Sequence, residues 1–321
     1  MYNISFKIMG MENYELKINK LSGRLPFLKD EKFSPALSGT NYKVFLSKNF
    51  VIRFRDTEPD LPAREAKFLK KLNHPLIPKI LWVGTANKSR VLIENRLPGE
   101  TLDLLWKKLN EINKKAIIKD IINFLKYLRS QVNNCIYSVK TGKQYLNFND
   151  YLIEGFAKKI SKIKKIGLAN KLLEKLTAII FNPSFNNLFT KNKLIILVHG
   201  DLIIHNLLSD GKKLTGVLDW EFALFGDKDY DISRLFYYQE CAKAYQEKGI
   251  DKTFEADYMN KLTAAIKSSG LINDRIDFEK KYTFIRAIFF LNALFWAVCS
   301  INPQKNIKEI VALWLKKWAG R

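Results

Sequence analysis

The stretch Lys193–Leu235 reads KLIILVHGDLIIHNLLSDGKKLTGVLDWEFALFGDKDYDISRL, and it decides the fold. Its apolar run Leu194–Val198 has the length and β-branched content of a buried strand, and it empties into His199-Gly200-Asp201. Asn206 follows Asp201 by five positions. Ser209-Asp210-Gly211 then reads as a turn, and a second apolar run, Leu214–Leu218, ends on Asp219. Two strand ends thus deliver an Asp, an Asn and a second Asp to one edge.

Phosphoryl transfer from a nucleotide needs such a trio. One carboxylate orients the attacking hydroxyl and takes its proton, while an amide oxygen and a second carboxylate hold Mg²⁺ against the phosphates. Taken singly, Asp201 and Asp219 would serve as turn caps and Asn206 as a loop closure. The catalytic loop of protein kinases carries Asp and Asn at the same spacing, with a later Asp on the metal. With HGDLxxxN at 199–206 and DW at 219–220, the segment resembles the aminoglycoside phosphotransferase and choline kinase superfamily, small-molecule relatives of protein kinases.

The resemblance implies a two-lobed, protein-kinase-like α+β fold. Residues 1–97 would form a small mixed nucleotide-binding lobe with an antiparallel sheet. Residues 98–321 would form a large, mainly helical lobe for catalysis and acceptor binding. Asp201 would be the catalytic base, Asn206 and Asp219 the Mg²⁺ ligands, ATP or GTP the donor and a small-molecule hydroxyl the acceptor. The resemblance is specific over 198–231, weaker over 38–65 and 90–101, and topological elsewhere.

Upstream, Tyr42–Leu46 and Phe50–Phe54 read as strands around a Ser47-Lys48-Asn49 turn. The preceding Ser38-Gly39-Thr40-Asn41 is an ordinary hairpin lead-in by pattern. By resemblance it is the loop that covers the nucleotide, through Ser38, Gly39 and Asn41. Alternation along the second strand puts Arg53 on a face with Val51, where kinases carry a phosphate-pairing lysine. Arginine departs from that lysine and would hold phosphate through a planar fork. Asp60-Leu61-Pro62 starts a helix running to about Leu72, with Glu65, Leu69 and Leu72 on one face. Glu65 is either solvated at the helix edge or paired with Arg53; the family resemblance favours the pair. Arg90–Asn95 is a further strand. The following Arg96–Thr101 is a plain turn by pattern and resembles the hinge whose main chain, at Asn95 and Leu97, binds adenine.

Downstream of the hinge, helices are expected over 112–132, 151–166 and 168–180. After Asp219, five acids (Asp219, Glu221, Asp227, Asp229, Asp231) fall within a short span. Asp231 fits the N-cap of a helix over 232–244, the preferred reading, while the family resemblance implies that it braces the catalytic loop. DWE at 219–221 resembles choline, ethanolamine and thiamine kinases, so Glu221 is a candidate contact to a cationic acceptor. The local acids would equally balance Mg²⁺ and nearby lysines. Phe284–Val298 is apolar but carries Arg286 and Asn292 and is too short for a membrane span, so it reads as a buried helix. Phe289, Phe290, Phe295, Trp296, Trp314 and Trp318 are core by pattern, with a cage for a quaternary ammonium as the alternative.

The remaining composition narrows the partners. The 321-residue chain is 47% hydrophobic, which excludes disorder, and 54 Lys+Arg against 32 Asp+Glu give a net charge of +22. The lysines are dispersed rather than gathered into an arm, so no nucleic-acid partner is expected. Three widely spaced cysteines form neither a disulfide framework nor a zinc site, and the N-terminus lacks a secretory pattern; a cytoplasmic setting fits. A protein kinase is disfavoured, because Asp227–Asp231 follows Asp219 too soon for an activation segment. The remaining alternative is a non-catalytic nucleotide- or nucleic-acid-binding protein on a kinase-like fold.

Overall fold

The computed structural model describes residues 14–36, 42–166, 170–185, 188–189, 194–247 and 253–299. Two compact units emerge, Met1–Pro98 with Thr215–Glu221, and Gly99–Leu214 with Phe222–Arg321. A single cut between 97 and 98 misses one feature of this division. The short segment that carries Asp219 returns to the first unit.

In the first unit, helix α1 (14–24) precedes an antiparallel sheet of β1 (Ser34–Pro35), β2 (Lys43–Leu46), β3 (Phe50–Arg55), β4 (Ile80–Ala86) and β5 (Ser89–Asn95). The strand order is β1-β2-β3-β5-β4, so β3 is central, and Arg53 pairs with Val44 on one side and Leu92 on the other. Alternation on β3 sends Ile52 and Phe54 into a core with Leu21, Leu28, Phe45 and Ile93. The opposite face carries Arg53 and Arg55, both buried. Helix α2 (Leu61–Leu69), with Pro62 in its first turn, brings Glu65 to that face. It stops three residues short of the expected Leu72.

The second unit begins with β6 (Glu100–Thr101), α3 (Leu102–Leu105) and the long α4 (Glu111–Ser130), capped by Asn110, whose side chain accepts from the Asn113 N–H. Short strands β7 (Val132–Asn133), β8 (Ile136–Ser138) and β9 (Gln144–Tyr145) follow. The single helix expected over 151–166 is two, α5 (Phe148–Ile153) and α6 (Phe156–Ile166), because Gly155 takes a left-handed φ of +76°. After α7 (Asn170–Ile180), strand β10 (Ile195–Val198) lies between β7 and the later β13 (Leu224–Gly226) in the order β7-β10-β13-β8-β9. Strand β11 (Leu207–Ser209) pairs with β6, and β12 (Leu214–Val217) leads the chain back to the first unit.

Helices α8 (Tyr230–Glu247), α9 (Thr253–Ser268) and α10 (Arg275–Cys299) complete the unit. Its core gathers Ile196, Val198, Leu224, Tyr230, Phe284 and Leu291. Phe289 and Phe290 are buried there and pack on the Tyr237 ring, so both serve the core. Trp296 is exposed, and Trp314 and Trp318 lie outside the described residues. Among the described residues no helix is long and apolar enough to cross a membrane. The fold is α+β, with antiparallel sheets and a predominantly helical second unit.

Candidate active site

The loop after β10 is built by backbone constraints. Gly200 sits at φ +79°, and a Cβ there would lie 2.2 Å from the Phe222 carbonyl oxygen, so only glycine fits. Asp231 then holds the loop. Its two carboxylate oxygens accept from the N–H of His199 and of Gly200, each at 2.8 Å. Asp231 is the second residue of α8, so the expected N-cap is corrected: its carboxylate braces the loop in place of its own helix. Burial pushes the Asp231 carboxyl up to about 6, against the two N–H donors that favour its ionised form.

Asp201 follows at the loop's tip. Its Oδ1 accepts from Arg234 Nη2 at 2.6 Å and from the Tyr238 hydroxyl at 3.3 Å. Its Oδ2 and its main-chain oxygen accept from Asn206 Nδ2 at 3.1 and 2.9 Å. A one-turn 3₁₀ helix, Ile204–Asn206, sets this spacing, with Leu202 and Ile204 buried as its anchors. The Asn206 amide nitrogen is thus spent on Asp201, which leaves its carbonyl oxygen as the donor for a hard cation.

The first unit holds the other group. Arg53 reaches Glu65 through both arms of its fork, Nη1 to Oε1 at 2.7 Å and Nη2 to Oε2 at 3.2 Å. Glu65 is fully buried and also accepts from the Tyr42 hydroxyl at 3.1 Å. Arg53 lies 3.6 Å from Glu94 Oε2 and 3.9 Å from Asp219 Oδ1. Burial would lower the guanidinium's pKa, but the Glu65 and Glu94 carboxylates outweigh it and hold it well above its ordinary value. Burial likewise pushes Glu94 up to about 7 despite Arg53, and Glu94 Oε2 has no hydrogen-bond partner among the described residues.

Asp219 takes a left-handed φ of +63°, which Asp tolerates better than most residues. Trp220, fully buried, fixes the turn by donating its Nε1–H to the Val217 carbonyl. The Asp219 side chain is 38% exposed as a whole, while its Oδ1, the oxygen nearer Arg53, is buried. Asn206 and Asp219 offer hard oxygens, and among the described residues no cluster of three His, Cys, Asp or Glu forms a dedicated metal cage. Each is a hard oxygen of the kind Mg²⁺ takes, a cation that is content with one or two protein ligands.

The other acids are internal. Glu221, expected near the acceptor, is fully buried and ion-paired to Arg55 Nη1 at 2.7 Å. That corrects the expectation, because a carboxylate inside the first unit and matched by its own cation does not meet a ligand. Lys281, fully buried, neutralises Asp227 and Asp229 at 3.0 Å each. Ser38, Gly39 and Asn41 lie outside the described residues. Asn95 commits its N–H and its side-chain oxygen to Lys79, so only its carbonyl bears on a hinge contact; the Leu97 side chain is buried. The sequence reading did not find Arg55, Glu94, Arg234 and Tyr238. Arg55 had a signal, since it repeats the Arg53 position two residues along one strand face.

Residues 32–258 match the sequence model of a family described as the phosphotransferase enzyme family. The chain belongs to that family. A relative, the hygromycin-B 4-O-kinase of Escherichia coli, is 40% identical over 43 residues, and the match spans 13% of this chain and 13% of that relative's length. Among solved structures, a thermostable mutant of aminoglycoside phosphotransferase APH(4)-Ia in ternary complex with AMP-PNP and hygromycin B is similar. Its TM-score is 0.60 at 14% identity, over 92% of this chain and 98% of that one. ADP-bound aminoglycoside phosphotransferase APH(2'')-Ib gives 0.63 at 21% identity, over 92% and 95%. At these identities the likeness speaks for the fold of this phosphotransferase. Its substrates must be argued from its own residues.

Proposed function

We propose that the chain is an ATP-dependent kinase that moves the γ-phosphate to a hydroxyl of a small, amino-bearing molecule, with an aminoglycoside as the first candidate acceptor. The observation that carries this reading is Asp201. It stands at the tip of a braced loop, fixed through Oδ1 and Asn206, with Oδ2 left only one donor. In the proposed step the acceptor hydroxyl gives its proton to Asp201 as its oxygen bonds to the γ-phosphorus. The bond from that phosphorus to the β–γ bridging oxygen breaks, and ADP leaves.

Arg53, oriented by Glu65, holds the α- and β-phosphates. Asn206 and Asp219 are the residues that would hold Mg²⁺, which would supply charge to offset that of the phosphates. The Asn95 carbonyl and the Leu97 N–H serve the adenine. Catalysis on this reading comes from positioning and from charge placed opposite the moving phosphoryl group. The family match and the 43-residue stretch shared at 40% identity with a hygromycin-B 4-O-kinase support an aminoglycoside over choline or thiamine. A cytoplasmic setting agrees with such an acceptor and with ATP.

The test is ADP release with Mg²⁺-ATP across hygromycin B, other aminoglycosides, choline, ethanolamine and thiamine. Acceptor-dependent release that falls by about 10²–10⁴ in Asp201→Asn, with ATP binding kept, is the expected result. Undiminished release in the variant would remove Asp201 from its role.

A further inference from the structure

Helix α8 holds three consecutive residues of the loop after β10. Asp231 takes the N–H groups of His199 and Gly200. Three residues later, on the same helix face, Arg234 Nη2 donates to Asp201 Oδ1 at 2.6 Å. A further turn on, Tyr238 donates its hydroxyl to the same oxygen at 3.3 Å and accepts from Arg234 Nε and Nη2 at 3.1 and 2.9 Å. The guanidinium carbon lies 5.5 Å from the ring centres of Tyr238 and Phe289 and 6.0 Å from that of Phe222. Aromatic faces on several sides leave it little freedom to swing. The ion pair is mostly buried, with the two side chains 20% and 14% exposed.

This arrangement treats the two carboxylate oxygens of Asp201 unequally. Oδ1 carries the guanidinium and the phenol, while Oδ2 carries a single amide donor. A carboxylate on a short side chain has one rotatable bond to fix its plane, and a strong partner on one oxygen aims the other. We propose that Arg234 is the positioning residue of the catalytic base, gripping Asp201 by Oδ1 so that Oδ2 is the atom that takes the acceptor's proton. The proposal rests on the reading of Asp201 as that base. Arginine suits the task because its rigid fork engages Asp201 and Tyr238 together, whereas a lysine offers a single mobile point charge. Tyr238 is the brace that keeps the fork in place.

A merely structural ion pair would affect stability alone, so the test separates kcat from KM and from folding. Arg234→Gln, Arg234→Lys and Tyr238→Phe are compared with wild type at saturating Mg²⁺, with whichever acceptor the wild type turns over. In Arg234→Gln we expect kcat to fall about 100-fold with the KM for ATP changed by less than about threefold, since misplacing a reacting group costs on that order. Arg234→Lys recovers part of the loss, and guanidinium ions added to Arg234→Ala restore part of its kcat. A kcat within about threefold of wild type in Arg234→Gln overturns the proposal. So does a loss that tracks the unfolded fraction, or one equal in all three variants. If the wild type turns over no acceptor, the base reading fails on its own, and a crystal structure of Arg234→Gln still decides the positioning. A turned Asp201 side chain upholds it, and an unchanged one overturns it.

Discussion

At the scale of single residues, the first unit concentrates carboxylates around one guanidinium. Glu65 is matched in two hydrogen bonds, but Glu94 reaches Arg53 only at 3.6 Å. Burial raises the folded pKa of Glu94 to about 7, above its unfolded value, so the folded state binds the proton more tightly. The associated stability is present below the unfolded pKa near 4.3 and is lost as pH climbs to about 7. Glu94→Gln mimics the protonated form. It should leave the urea midpoint unchanged at pH 4.5 and raise stability by up to about 3 kcal/mol at pH 8. Equal midpoints at pH 8 would show that burial does not raise this carboxyl's pKa. Arg53→Lys tests the neighbouring pair. A lysine keeps the charge and loses the fork, so the variant should be about 1.5–3 kcal/mol less stable in urea. An unchanged stability would mean that the second arm of the fork contributes nothing.

At the scale of elements, backbone conformation matters as much as side chains. Gly200→Ala places a methyl where the Phe222 carbonyl stands and keeps a left-handed φ that alanine disfavours. We expect a loss of about 1–3 kcal/mol in thermal or urea unfolding, with a fall in kcat because Asp201 is the next residue. Wild-type stability together with wild-type kcat would place the loop's rigidity elsewhere. The same scale shows why some elements could be read in advance and others could not. Strands β3, β5 and β10 are long apolar runs with clear flanks. Strands β7, β8 and β9 are two or three residues long and exist because β10, β13 and β8 in turn offer them pairing partners, which no local pattern records. Helices α5 and α6 fuse in a periodicity reading because Gly155 is one residue among helix formers. The pairing of Asp201 with Asn206 was legible through spacing. Arg234 and Tyr238 were not, since the face α8 turns to the loop is fixed only when the helix packs. Glu221 misled for the same reason: its partner, Arg55, lies 166 positions away in sequence.

At the scale of the whole molecule, the net charge is +22, and among the described residues several matched carboxylates, Glu65, Glu221, Asp227 and Asp229, are interior. Buried pairs are poorly screened by salt, but exposed like charges are screened over a Debye length of about 10 Å at 0.1 M. The dominant salt-sensitive term is therefore mutual repulsion, which disfavours the compact state. Raising NaCl from about 20 mM to about 300 mM should raise Tm by several degrees, corresponding to a gain of roughly 1–2 kcal/mol. A chain held by surface ion pairs behaves oppositely, and a falling Tm would show that pairs such as Lys261–Asp257 outweigh the repulsion. Repeating the scan with Mg²⁺-ATP separates the two contributions. Ligand stabilisation follows RT ln(1 + [L]/Kd), about 2.7 kcal/mol at one hundred times Kd, and it adds to the salt effect if nucleotide binding leaves the surface repulsion intact. A nucleotide shift that vanishes at high salt would instead assign the binding to the diffuse basic surface, and would count against Arg53 as the phosphate anchor.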